Sequence, residues 1–228
     1  MPTKLFQYST ITSLMHGNYD GEINFKDFKT KGDFGLGTFE GLDGEMIVLD
    51  KNFYQTQMDG SLSVINESYT SPFLSICNFV EDEKMELNGL NVDQVMEEIE
   101  KGETSKIIAI KIEGEFETIT TRSVKKQEKP YKKMFEIKDV QQTVTFENNK
   151  GTIVGFYTPK YLNTVGVEGV HFHYVTSELT SGGHVLEFKM KNAILTKSYI
   201  DEIELKLGKA SFGQEDIQEH IKKLEGNN

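Results

Sequence analysis

Between residues 20 and 60 the chain is interrupted repeatedly by turn-forming pairs: Asp20-Gly21, Gly32-Asp33, Asp43-Gly44, Lys51-Asn52 and Asp59-Gly60. Such pairs give the backbone freedom that tight reversals need, and their spacing leaves room only for short strands. The segments between them, Phe34 to Phe39, Glu45 to Leu49, Phe53 to Gln57 and Ser61 to Ile65, are rich in aromatic and β-branched residues that suit a pleated surface.

Helical patterning is rarer. Ser9 to Met15, stopped by Gly17, and Asn91 to Lys101, with apolar Val92, Val95, Met96 and Ile99, predict two helices. A charged closing helix is expected from Gln214 to Leu224, where Ile217, Ile221 and Leu224 recur at helical spacing. Lys106 to Val124 alternates and is strongly β-forming, predicting one long bent strand or two in series. The lysine-rich stretch around Pro130 breaks that pattern, so a boundary is set near residue 125. It separates an N-terminal α+β sheet domain (1–125) from a C-terminal β-rich metal-binding domain with a helical tail (126–228). Further strands are expected at Thr152 to Thr158, Val167 to Thr176, His184 to Lys191 and Ile200 to Leu207. The expected fold class is α+β, with two β-rich lobes: a mixed sheet with helices, then a barrel-like sheet, with the metal site near their interface.

With 228 residues the chain can bury a core without disulfides. Its single cysteine, Cys77, has apolar neighbours and reads as a buried thiol in a reducing compartment. The first residues lack a secretory pattern and no run is long and apolar enough to span a bilayer, so a cytoplasmic location without membrane contact is expected. A net charge of -11 argues against nucleic acid, because phosphate binding rests on clustered basic residues. Lys125, Lys126, Lys129, Lys132 and Lys133 read as a solvated loop.

Three of the five histidines fall between residues 171 and 184. Residues two apart on a strand share a face, so His171 and His173 project together. Ser177 to Gly183 reverses the chain, and if His173 lies opposite His184 the three imidazoles can meet at one point. Nitrogen ligands suit zinc, iron, nickel or copper better than a hard cation. Three protein ligands leave a position open, as catalytic zinc requires, for Lewis-acid chemistry on an oxygen-rich substrate. His16 and His220 lack such company and read as solvent-exposed side chains.

Several segments in order carry a family resemblance: Phe6-Gln-Tyr-Ser-Thr-Ile11, Tyr19-Asp-Gly21, Gly32-Asp-Phe-Gly-Leu-Gly-Thr-Phe39, Leu42-Asp-Gly-Glu-Met46, Phe53-Tyr-Gln55, Gly151 to Pro159, and Gly166-Val-Glu-Gly-Val-His-Phe-His173 with Gly182-Gly-His184. Over nearly its whole length the chain resembles the acetolactate decarboxylases. The resemblance implies a carboxy-lyase that converts 2-acetolactate to acetoin as a homodimer. It also implies a divalent metal, with zinc expected, on His171, His173 and His184. Glu45 matches an active-site glutamate, Thr38 an active-site threonine, and Arg122, the chain's only arginine, a substrate-facing arginine. For the glutamate that the family brings back from its C-terminal tail, Glu225 is the candidate, with Glu219 and Glu204 open. Gly35 and Gly37 read as strand glycines that permit close backbone approach rather than a phosphate loop. Two other readings compete: a cupin, in which Glu178 would join the ligands, and a non-catalytic metal-binding module.

Overall fold

The computed structural model describes residues 2–137, 141–209 and 217–224. Its strands are β1 (Lys4–Tyr8), β2 (Ile23–Asn24), β3 (Phe34–Thr38), β4 (Glu45–Leu49), β5 (Asn52–Thr56), β6 (Leu62–Val64), β7 (Thr70–Ser71), β8 (Phe73–Cys77), β9 (Glu83–Asn88), β10 (Ile108–Val124), β11 (Gln141–Thr158), β12 (Gly169–Thr176), β13 (Gly182–Tyr199) and β14 (Glu202–Lys206). The helices are α1 (Ile11–Met15), α2 (Phe25–Phe28), α3 (Val92–Glu100) and α4 (Gln218–Leu224). The described residues are thus mostly β with few helices. None of those helices is long and apolar enough to cross a membrane.

Two sheets carry the structure. The first has the order β14-β1-β8-β3-β4-β5-β6, antiparallel except for the parallel pair of β1 with β14. The second runs β10-β11-β12-β13-β9, with β10 also pairing with β13. Each sheet takes strands from the other side of residue 125, β14 in the first and β9 and β10 in the second. The barrel-like closure expected for the C-terminal half is not confirmed by this topology. The short β12 meets β13 over three residue pairs, and β9 extends the sheet beyond β13. This sheet does not close into a barrel.

Period-two alternation decides what each strand face touches. In the first sheet Leu5, Phe34, Leu36, Ile47 and Tyr54 pack against Ala109, Val154, Phe156 and Val175 of the second. The opposite face, with Phe6, Met46, Val48, Phe53 and Ile76, is covered by Ile23 and Phe28. Both faces are therefore buried, which explains why β3 is buried throughout. A Cβ at Gly35 would collide with the Ser75 carbonyl, and one at Gly37 with that of Phe73, so β3 can approach β8 closely only with glycine there.

The second sheet buries its own cluster of Ile110, Ile112, Phe116, Ile119, Phe172, Tyr174 and Phe188, with Val95 and Ile99 of α3 packed on it. Asn91 accepts from the Gln94 amide and Gln94 reaches back to the Asn91 amide, a capping box that starts α3. Residues 108–124, expected as one strand or two, form a single strand whose register shifts near Phe116 and Thr120 supply the bend. Strands β11 and β13 extend well beyond their expected limits. β1, β8 and β9 were not anticipated: β8 is a run of five buried residues too short to assign by periodicity, and β9 is a charged stretch held by pairing with β13.

Phe116 is fully buried and packs edge-on against Tyr174 and Phe188. Phe116→Ala is expected to lower unfolding free energy by about 3–5 kcal/mol through lost packing and a residual cavity, read as a fall in the denaturant midpoint.

Candidate metal centre

Strand β12 sorts its side chains by alternation. Phe172 and Tyr174 enter the core of the second sheet, while Val175, in step with His171 and His173, packs toward the first. After Thr176 the chain reverses tightly. The Leu179 amide donates to the Thr176 carbonyl at 2.9 Å and the Thr176 amide donates to the Ser181 carbonyl at 3.0 Å. That turn sets His184 directly opposite His173, and β10 then sets Arg122 opposite His184. Arg122, His184 and His173 thus form one row across three strands.

A second polar row lies in the first sheet, where Glu45 on β4 has Thr38 on β3 and Thr56 on β5 as its ladder neighbours. The rows meet at Glu45. Its Oε2 is 3.7 Å from His173 Nε2 and its Oε1 is 3.9 Å from Arg122 Nη1. Glu45 owes its place to the turn before it. Gly44 has φ +75°, a conformation that side chains disfavour, and a Cβ there would strike the Thr56 carbonyl. The Thr38 hydroxyl donates to the Gly44 carbonyl at 2.7 Å and secures the same turn. Its oxygen keeps acceptor capacity for a ligand.

His173 is 1 % exposed, and its Nδ1 lies 2.8 Å from the Met46 carbonyl. A carbonyl can only accept, so Nδ1 carries the proton and Nε2 presents its lone pair, the tautomer a metal requires. The three imidazoles offer one ligand atom each within 4.8 Å of one another. Burial pushes all three below the ordinary histidine value of 6.5, His171 to about 3, and the Arg122 guanidinium acts in the same direction. They are therefore neutral at pH 7. Convergent, neutral nitrogen donors, His173 and His184 buried and His171 half-buried, with no thiolate, fit a borderline divalent transition metal.

The pocket in front of the histidines holds about 740 Å³ with its open mouth included. Its opposite wall is apolar, made of Ile11 and Leu14 from α1 with Leu42, Phe73, Met134 and Ile137. Behind that wall, Ile217, just before α4, and Ile221 within it join the same cluster. No signal in the sequence marked this wall, because its members come from four separated segments.

The other candidates fall elsewhere. Glu204 is on β14 and pairs with Lys31 at 3.3 Å, Glu219 is exposed on α4, and Glu225 lies outside the described residues. Glu178 is exposed in the turn after β12 and accepts from the Ser177 hydroxyl, so the ligand expected of a cupin is absent from the histidine group. His16, read as exposed, is half-buried with Nδ1 2.8 Å from the Thr12 carbonyl. His220 is exposed and stacks on Phe135 with ring centroids 4.2 Å apart.

The sequence profile of the family described as alpha-acetolactate decarboxylase matches residues 5–219. An alpha-acetolactate decarboxylase of Brevibacillus brevis is 41% identical over 206 residues, covering 89% of this chain and 72% of that protein. The chain belongs to the alpha-acetolactate decarboxylase family. It is accordingly an enzyme, a carboxy-lyase. The same family name is carried by a Methanosarcina mazei protein, 39% identical over 230 residues, with 97% of this chain and 80% of that one covered. The crystal structure of the Bacillus subtilis alpha-acetolactate decarboxylase superposes with a TM-score of 0.94 at 35% identity, over 98% of this chain and 99% of that one.

The histidine shifts carry a sign for stability. Above pH 6.5 both folded and unfolded chains hold neutral His171, and below it the unfolded chain takes up a proton that the folded chain refuses until about pH 3. Metal-free protein should therefore lose stability as pH falls through this window. His171→Gln should flatten that dependence, checked by melting temperatures of both proteins from pH 7 to pH 4.

Proposed function

We propose that this chain decarboxylates 2-acetolactate to acetoin, with zinc held by His171, His173 and His184. The observation that carries the reading is the meeting of two polar rows at Glu45, beside the histidines and Arg122, in a chain of this family. Bound to the histidines, the metal would supply Lewis acidity toward the ketone and hydroxyl oxygens of the substrate, drawing on the electron pair that departing CO₂ leaves behind.

The protein's own groups account for the rest. Arg122, 7 % exposed, has the planar donor pair that grips a carboxylate through two parallel hydrogen bonds and then offsets enediolate charge. Glu45 lies between that guanidinium and His173; after taking up a proton from solvent it passes that proton to the enediolate carbon on one face and returns to the carboxylate. Thr38 offers its oxygen to a substrate hydroxyl. The apolar wall formed by Leu14, Phe73 and Met134 faces the substrate's methyl groups and limits access of water. In this division of labour residues 1–125 supply Thr38, Glu45 and Arg122, and residues 126–228 supply the metal ligands.

The reading extends to a cytoplasmic homodimer. Buried Cys77, with no disulfide partner available, supports the compartment. Strand β14, at the edge of the first sheet with Ile203 and Leu205 partly exposed, supports a self-association surface.

Incubation with racemic acetolactate tests the reaction. Acetoin should accumulate above the spontaneous background, and its absence from metal-loaded protein would sink the proposal. His171→Ala should lose both metal, by elemental analysis, and turnover. Arg122→Lys should keep the metal and lose most activity, since an ammonium cannot reproduce the bidentate grip. Glu45→Gln should keep the metal and slow turnover; loss of metal instead would make Glu45 a ligand.

A further inference from the structure

Three hydrogen bonds tie the first sheet to the second around Glu45. On one side of it in sequence, the Gly44 amide donates to the Val124 carbonyl at 3.2 Å. On the other, the Met46 carbonyl accepts from His173 Nδ1 at 2.8 Å. The third reaches its ladder neighbour, for the Thr56 carbonyl accepts from the Ser123 hydroxyl at 3.1 Å. Two of these ties therefore start from the residues that directly follow Arg122. The backbone carrying Arg122 is fixed to the backbone carrying Glu45, and the two charged groups are held 3.9 Å apart across the sheets.

The first two ties are made by backbone groups or by a metal-binding histidine. Ser123 is different. It is 2 % exposed, does not line the pocket and belongs to no charged pair, and its hydroxyl makes a specific bond to the opposite sheet. Beyond it the Gln127 amide donates to the Gly41 carbonyl at 2.6 Å, so residues 124–127 stay anchored by backbone bonds whatever occupies position 123.

We infer that Ser123 is a positioning residue, its hydroxyl bond to Thr56 setting the reach of Arg122 relative to Glu45 and thereby the rate of the chemical step. This rests on the decarboxylase reading for its kinetic consequence, and on the geometry alone for its structural one. Losing the bond takes the side-chain donor from the Thr56 carbonyl and leaves Arg122 and Ser123 free to shift relative to β4 while Val124 stays tied to Gly44. Displacements well under an ångström at reacting groups carry large rate penalties, because proximity and orientation are steep functions of distance.

The test compares Ser123→Ala and Ser123→Thr with the parent. Ser123→Ala should hold a full complement of metal by elemental analysis and bind an unreactive vicinal diol within about twofold, while kcat falls about tenfold with KM little changed. Ser123→Thr, which keeps the hydroxyl, should recover most of kcat. In a crystal structure of Ser123→Ala the Arg122 to Glu45 separation should exceed that of the parent, a readout independent of turnover. Parental kcat and an unchanged separation in Ser123→Ala would overturn the inference. So would a loss of kcat matched by equal loss of metal or of folded protein in both variants, which would make Ser123 part of the general frame. If the parent forms no acetoin, the decarboxylase reading fails, and the measured separation still decides the positioning role.

Discussion

Two sheets packed face to face normally bury apolar surface on both sides, and here part of the interface instead has each present polar side chains to the other. The contact between Glu45 and the pair of His173 and Arg122 is the interaction on which the rest of the centre depends. Burying a carboxylate and a guanidinium costs several kcal/mol unless each finds a partner. The fold meets that cost by placing opposite charges on facing rows and by fixing the rows with hydrogen bonds from their neighbours. The apolar contact of Phe34, Leu36 and Ile47 with Val154 and Phe156 excludes water beside them, which strengthens the electrostatic interactions within.

The histidines are prepared by the same packing. Enclosure keeps them neutral, and the carbonyl of Met46, itself fixed by the ladders of β4, dictates which nitrogen of His173 faces the centre. Met46 thus contributes in two directions at once. Its side chain fills the core on the far face of the first sheet, while its backbone oxygen orients an imidazole belonging to the second.

Much of this was legible in the residues. Alternation in Val-His-Phe-His-Tyr announced that the two histidines share a face, and the turn after Thr176 announced where the third would fall, because strand periodicity is local and turn chemistry is residue-specific. Glu45 and Arg122 were legible only through resemblance, since nothing within their own segments says that β4 and β10 face each other. Ser123, Thr56 and the Met46 carbonyl had no signal of either kind: a backbone acceptor looks the same in every residue, and a serine on a strand is ordinary until its partner across the interface is known. The excess length of β11 and β13 was equally hidden. Their polar ends, such as Gln141 to Thr145, have little alternation of burial and are ordered by pairing with β10.

The parallel pairing of β1 with β14 joins Lys4 to Glu202 and Tyr8 to Lys206, segments far apart along the chain. During synthesis the first strand therefore leaves the ribosome long before its neighbour exists and must wait with one flank unsatisfied. Contacts so distant along the chain also close late in folding, because loop-closure entropy must be overcome before they form. A chain that has not yet acquired β14 would consequently lack a finished first sheet, and with it the firm backing that Thr38 and Glu45 need, so competence for chemistry waits on that strand.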